Sequence, residues 1–169
     1  MSTGHIDATR RTFVSYIDRT REYYLAQGYG NPYQWAHFEE VPFERLARPL
    51  SECRLTLITT ASPLGDERAR RNEPPKGIWW GRNDAPPEGL YTGDLAWDKE
   101  STHTDDLDSF FPIHRLQELA RDGRIGGLAA RHHGVPTEYS QRRTRERDAP
   151  EILRRCREDG VDAALLVPL

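Results

Sequence analysis

Twice in this chain a helical pattern runs into a glycine and then into a short apolar strand, and that rhythm restricts the fold more than any other feature. The first instance is the helix Pro112 to Arg121, with Ile113, Leu116 and Leu119 at helical spacing, then Gly123, then an expected strand from Ile125 to Ala130. The second opens at Asp148, whose Asp-x-x-Glu spacing to Glu151 has the form of a capping box. It runs to about Glu158, stops at Gly160 and enters the apolar run Val161 to Val167. A helix that returns the chain to the next strand gives parallel pairing, so the expected class is α/β: a mostly parallel sheet flanked by helices, flavodoxin-like or Rossmann-like. An earlier run, Arg54 to Thr60 after Pro49, is short, branched and apolar, and supplies a further buried strand.

The 169 residues fit one α/β domain. Within it, 1–50 reads as an N-terminal helix (about Ala8 to Gln27, stopped by Gly28) and an aromatic loop that packs down as a lid (Tyr29 to Trp35). The stretch 61–102 reads as a long irregular insertion, broken by Pro63, Pro74-Pro75 and Pro86-Pro87. The run Gln141 to Arg147 reads as a solvated basic linker. A formal net charge of −3 argues against nucleic acid as a partner, and no apolar run is long enough for a membrane span. With two cysteines, Cys53 and Cys156, and no apolar leader near Met1, the expected location is cytoplasmic, with both thiols reduced and apart.

In open parallel sheets ligands bind beyond the carboxyl ends of strands. Three segments are expected there. Thr59, Thr60 and Ser62 follow the first strand, where hydroxyls either hold an anionic group or satisfy their own backbone. Arg131, His132 and His133 follow the strand ending at Ala130. Two adjacent residues on an extended chain face opposite ways, so one histidine serves a site; His132 is the candidate base or orienting group, and His133 reads as a surface residue. His103 and Asp105, with Asp106 and Asp108, lie upstream of the second helix. They are candidates for substrate contact or for capping; a divalent metal is the remaining alternative, and the ordered ligand spacing of a calcium loop is lacking.

Several stretches, in order, resemble the selenoprotein B subunit of the glycine/betaine/sarcosine/D-proline reductase family. They are Tyr29 with Asn31-Pro32-Tyr33-Gln34-Trp35, Arg48 to Arg54 running into Leu57 to Ala61, and His103-Thr104-Asp105 with Phe111-Pro112-Ile113 and Arg115-Leu116. Ile125-Gly126 with Ala130-Arg131-His132, and Asp159 to Ala163 with Leu165 to Pro168, complete the set. The resemblance implies an oxidoreductase of bacterial type, in which a selenocysteine or cysteine cleaves a C–N bond of a small amino acid or betaine reductively, working with partner reductase subunits. With the strand-end placement, the reading is that His132, His103 and Asp105 serve catalysis and that Thr59, Thr60, Ser62, Arg115 and Arg131 hold the substrate. The resemblance also places the reactive selenocysteine or cysteine immediately after Leu169, so that no cofactor lies in this chain, the fold is incomplete at its C-terminus, and the next codon is expected to be UGA. The alternative is a non-catalytic binding or assembly module of the same fold that has lost its active centre. With the downstream elements missing, the apolar run Val161 to Leu169 is expected to leave an apolar patch or an open edge and to make the protein a homo-oligomer.

Overall fold

The computed structural model describes residues 16–30, 37–41, 44–65, 77–93, 95, 101–137 and 140–169. The chain divides into two compact units, Met1–Pro42 and Phe43–Leu169. In the first, helix α1 (Tyr16–Ala26) carries an Arg21–Asp18 ion pair and ends at Gly28, whose φ is 86°. Tyr24 stacks edge-on against both Tyr23 and Tyr29 at 5.7 Å, and all three rings are exposed, as is Leu25. The expected helical turns before Tyr16 and the aromatic loop from Asn31 to Trp35 lie outside the described residues.

The second unit is built on β1 (Arg54–Thr59). β7 (Ala163–Val167) runs parallel to β1 along one edge, from Leu55↔Ala163 to Thr59↔Val167. The other edge is therefore shared by β5 (Gly127–Leu128), which pairs with Arg54 and Leu55, and β6 (Arg131–Gly134), which pairs with Ile58 and Thr59; both are parallel to β1. β3 (Trp79–Arg82) lies antiparallel against the outer side of β6. A separate two-stranded ribbon joins β2 (Ser62–Pro63) to β4 (Leu90–Tyr91). The class is α/β with a mixed, mostly parallel sheet, as the helix–glycine–strand rhythm requires.

Register assigns the faces, because side chains alternate along a strand. Leu55 and Leu57 face a core of Phe111, Ile113, Leu116 and Ile125, contributed by helix α2 (Ile113–Arg121) and its flanks. Thr56 and Ile58 face the other way, toward helix α4 (Ala149–Glu158), whose buried residues are Ile152 and Cys156. Burying Leu57 and Phe111 completely stabilises the fold by about 2 kcal/mol each. Gly123 (φ 68°) and Gly160 (φ 64°) end α2 and α4 in the left-handed region, where a side chain is disfavoured, so both helices stop where the sequence predicts.

Four expectations are corrected. The insertion is not irregular throughout: Trp79–Arg82 forms a sheet strand, and its pairing partner lies about fifty residues away, beyond the reach of local patterning. The basic run is not a linker. Helix α3 (Gln141–Arg143) continues through a π turn (Thr144–Asp148) into α4, and Ser140 caps it, its Oγ accepting from the Arg143 N–H at 3.3 Å. Asp148 already has helical dihedrals and makes no capping bond, so its spacing to Glu151 is not a capping box. The strand expected from Ile125 to Ala130 is shifted: β5 is Gly127–Leu128, pairing breaks at Ala129–Ala130 and resumes as β6, so Arg131 and His132 lie inside a strand and not beyond its end.

Candidate functional site

The described side chain with the most chemistry built around it is His132. It lies on the core face of β6, directly across from Gly81 of β3. Its ring stacks edge-on against Trp79 (5.5 Å) and Phe111 (5.0 Å). Its Nδ1 is 2.9 Å from Asn83 Oδ1. The orientation of Asn83 is itself fixed, since its Nδ2 donates to the Ala129 carbonyl at 2.8 Å and its backbone N–H donates to Ala130 at 3.0 Å. An amide oxygen only accepts, so the proton sits on Nδ1 and the lone pair on Nε2. Burial, reinforced by neighbouring His133, pushes the pKa of His132 down to about 4, and the ring is neutral at pH 7.

The ring also lines a cleft of about 360 Å³ on the outer side of β3, with Leu64, Trp80, Pro87, Glu88 and Leu90 among the other walls. Access depends on Gly81. A methyl group there would lie 2.6 Å from Cε1 and closer still to Nε2. The imidazole therefore occupies the space that a side chain on β3 would fill. Asn83 does not line this cleft, so the ring edge that reaches it carries Cε1 and Nε2.

The other expected site residues divide into those near the carboxyl edge and those elsewhere. Thr59 ends β1, Thr60 follows it, and Ser62 opens β2. Thr59 Oγ1 accepts from the Ala61 N–H (3.1 Å), and Thr60 Oγ1 bonds both the N–H (2.9 Å) and the carbonyl of Leu169 (3.3 Å). Both hydroxyls thus serve backbone, the blander of their two readings. Ser62 Oγ is buried without a hydrogen-bond partner among the described residues. Arg131 points to the opposite face from His132 and grips Asp159 with Nε and Nη2, both at 2.8 Å. That bidentate pair raises the Arg131 pKa and lowers that of Asp159, so the guanidinium is already engaged by a carboxylate. Arg115 is exposed and pairs with Glu118 at 2.7 Å along α2.

His103 is exposed and lies 3.6 Å from Asp105; it does not line the cleft that His132 lines, so the expected convergence of the two histidines is not found. Asp106 and Asp108 are caps. Asp106 accepts from the Asp108 N–H (3.0 Å), and Asp108 accepts from the His114 N–H (3.0 Å) at the start of α2. Among the described residues no group of three or more His, Cys, Asp or Glu side chains is arranged to hold a metal ion.

Sequence reasoning missed His133 and Asn83. His133 is not a surface residue: it is 0% exposed under α4, and neither ring nitrogen has a hydrogen-bond partner among the described residues. Burial, then the guanidiniums of Arg131 and Arg155, lower its pKa to about 4 against the opposing pull of Asp159 and Glu151. Only the alternation of faces along a strand announced that His132 and His133 do different things. Nothing local marked Asn83. The cysteines are free and buried; Cys53 Sγ donates to the Arg48 carbonyl at 3.6 Å, and burial raises the pKa of the Cys156 thiol. A larger cleft of about 650 Å³ holds Trp80, Arg82, Gln117, Arg121 and Arg131, but Arg82 is paired with Asp84 and Arg131 with Asp159.

Among the described residues no helix is long and apolar enough to cross a membrane. No protein-family model, no curated protein and no solved structure matches this chain.

Proposed function

We propose that this chain is the substrate-holding α/β portion of a selenol- or thiol-dependent reductase subunit, acting in a reducing cytoplasm on a small amino acid or betaine-like molecule. The observation that carries the reading is the neutral, tautomer-fixed His132 at the wall of a small cleft, in a chain whose thiols are both buried. The resemblance to the glycine/betaine/sarcosine/D-proline reductases supplies the reaction. A selenolate or thiolate attacks the carbon bearing the amine and a C–Se or C–S bond forms as the C–N bond breaks. The nitrogen is already protonated or quaternary, so it leaves as the neutral amine without a further proton, and a dithiol then reduces the adduct and is itself oxidised to the disulfide. Neither Cys53 nor Cys156 suits the attack: both are buried and neither lines the cleft, and burial raises the pKa of Cys156 away from the nucleophilic thiolate. His132 orients substrate in this scheme. It does not protonate the amine, since its one proton is held by Asn83.

Calorimetry with glycine, sarcosine, betaine and D-proline tests the reading. Binding of glycine, sarcosine or D-proline through an N–H, weakened about tenfold in His132→Ala by loss of one hydrogen bond, is the expected result; betaine has no N–H to give, so its binding should not change in that variant. Amine release in the presence of a dithiol is expected only when a selenol- or thiol-bearing partner is added. No binding of any of the four, or release by the chain alone, would sink it.

A second reading, an assembly module, is favoured by β7. Only its β1-facing edge is paired among the described residues, and the strand carries no charge or proline between Ala163 and Val167. Leu166 is 66% exposed, beside the exposed Leu153 of α4 and an apolar cleft of about 450 Å³. An unprotected apolar edge of this kind invites pairing with a second copy. Light scattering should show a mass that rises with concentration. Leu166→Asp should hold the protein monomeric with its circular dichroism unchanged. A wild-type monomer over the whole concentration range would rule this reading out.

A further inference from the structure

We propose that the cleft outside β3 is a binding site for a small amine or alcohol, anchored by an N–H or O–H that donates to Nε2 of His132. In this arrangement Asn83 is a positioning residue and Gly81 the opening. The inference uses the same cleft as the function proposed above but none of its redox chemistry.

Four observations converge. Asn83 Oδ1 takes the Nδ1 proton, which leaves Nε2 as an acceptor and makes it useless as a donor. The bare Cα of Gly81 lets the ring lie across β3 as far as the cleft, where any side chain would displace it. The walls are largely apolar, from Leu64, Pro87, Leu90 and the half-exposed Trp80, with Glu88 the carboxylate among them. That combination suits an uncharged or cationic head on a short apolar body, and a volume of about 360 Å³ admits a ligand of that size. Arg82 also lines the cleft, but it is held by Asp84 at 2.5 and 2.8 Å, so an anionic head would have to compete for it.

The imidazole stays neutral through this range because it is buried, so the acceptor is available from about pH 5 upward. A quaternary ammonium has no proton to give, and an ether has none either. The site should therefore separate butylamine and butanol from tetramethylammonium and diethyl ether, ligands of similar bulk that lack the donor.

Nitrogen NMR of the histidine rings in the full chain tests this at two levels. In the wild type at pH 7, His132 should show a protonated Nδ1 and an unprotonated Nε2. Butylamine or butanol should shift the Nε2 signal, with saturation, while tetramethylammonium and diethyl ether leave it in place. A response to butylamine alone would assign the site to amines through Glu88, and a response to butanol alone would assign it to alcohols. Gly81→Ala should abolish the shift. Should that variant not fold, Asn83→Leu serves instead: with the Nδ1 partner gone, both tautomers populate and butylamine binds about tenfold more weakly. Asn83→Asp, which still accepts from Nδ1, should restore the wild-type tautomer and binding; a merely structural role for Asn83 would not give that pattern. A protonated Nε2 in the wild type, or equal shifts from ligands with and without a donor, would overturn the inference. Loss of amine release with the Nε2 shift intact would instead sink the reductase reading alone.

Discussion

Acidification from pH 6.5 to 4 is expected to strip this protein of a large part of its stability, well above the range in which its surface ion pairs titrate. His132 and His133 are buried on opposite faces of one strand, and each is held near a pKa of about 4 against an ordinary 6.5. Between those two values the unfolded chain binds a proton at each position and the folded chain does not. A lowered histidine pKa therefore contributes stability that is complete above pH 6.5 and is lost as the pH falls toward 4. The loss for each histidine taken singly is about 3 kcal/mol, against a typical total of about 5–15. Asp159 and Glu151 are paired with arginines and held below the ordinary carboxylate range, Glu151 at about 2, so what they contribute starts to be lost only as the pH falls through their ordinary values of 3.8 and 4.5, and the upper part of the window belongs to the histidines. Urea denaturation at half-unit steps of pH gives the profile. His133→Leu is the informative variant. It replaces a ring with two unpartnered nitrogens by an apolar side chain, so it should fold, and it should remove about half of the pH dependence. A wild-type profile that is flat between pH 6.5 and 4.5 would refute the burial of both rings.

The same two histidines mark where the sequence was informative and where it was not. β1, α2 and β7 were legible because each announces itself locally: an apolar run after Pro49, a helix between Pro112 and Gly123, a strand after Gly160. The opposite facing of His132 and His133 was also legible, because alternation along an extended chain needs no tertiary information. Their placement within β6 was not, since Arg-His-His is too polar to look like a buried strand. It becomes one only because Trp79–Arg82 covers its outer edge and α4 covers its far face. Asn83 and His132 are 49 residues apart in sequence, so their hydrogen bond left no local trace. The start of the long helix was misplaced for the opposite reason. Asp148 and Glu151 have a capping spacing by themselves, but the Arg-rich turn before them is already helical and Ser140 takes the cap.

Gly134→Ala is expected to be among the most damaging single-methyl additions in the chain, costing about 3 kcal/mol. Gly134 ends β6 directly opposite Trp79 of β3, and the indole lies on it: an added methyl would overlap Nε1 and Cε2 and come within 2.7 Å of Cδ1. The indole has little room to retreat. Its Nε1 donates to the buried Ala61 at 3.2 Å, and its other side packs edge-on against His132. Moving it costs a hydrogen bond and a ring contact together. Trp79→Phe alone should also destabilise, by about 1–3 kcal/mol, since it leaves the Ala61 carbonyl without its donor. Combined with Gly134→Ala, however, the smaller phenyl ring vacates the space the methyl needs. The double variant should therefore be more stable than the sum of the two losses predicts, by on the order of 2 kcal/mol. Gly77→Ala is the control. Nothing lies within 4 Å of its added methyl, and its effect should stay within about 0.5 kcal/mol. Chemical denaturation of the four proteins and the control decides the matter. Strict additivity, or a Gly134→Ala protein as stable as wild type, would mean that the indole does not sit on Gly134. Because the same indole walls His132, Gly134→Ala should also move the ring-nitrogen signals of His132, whereas Gly77→Ala should leave them unchanged.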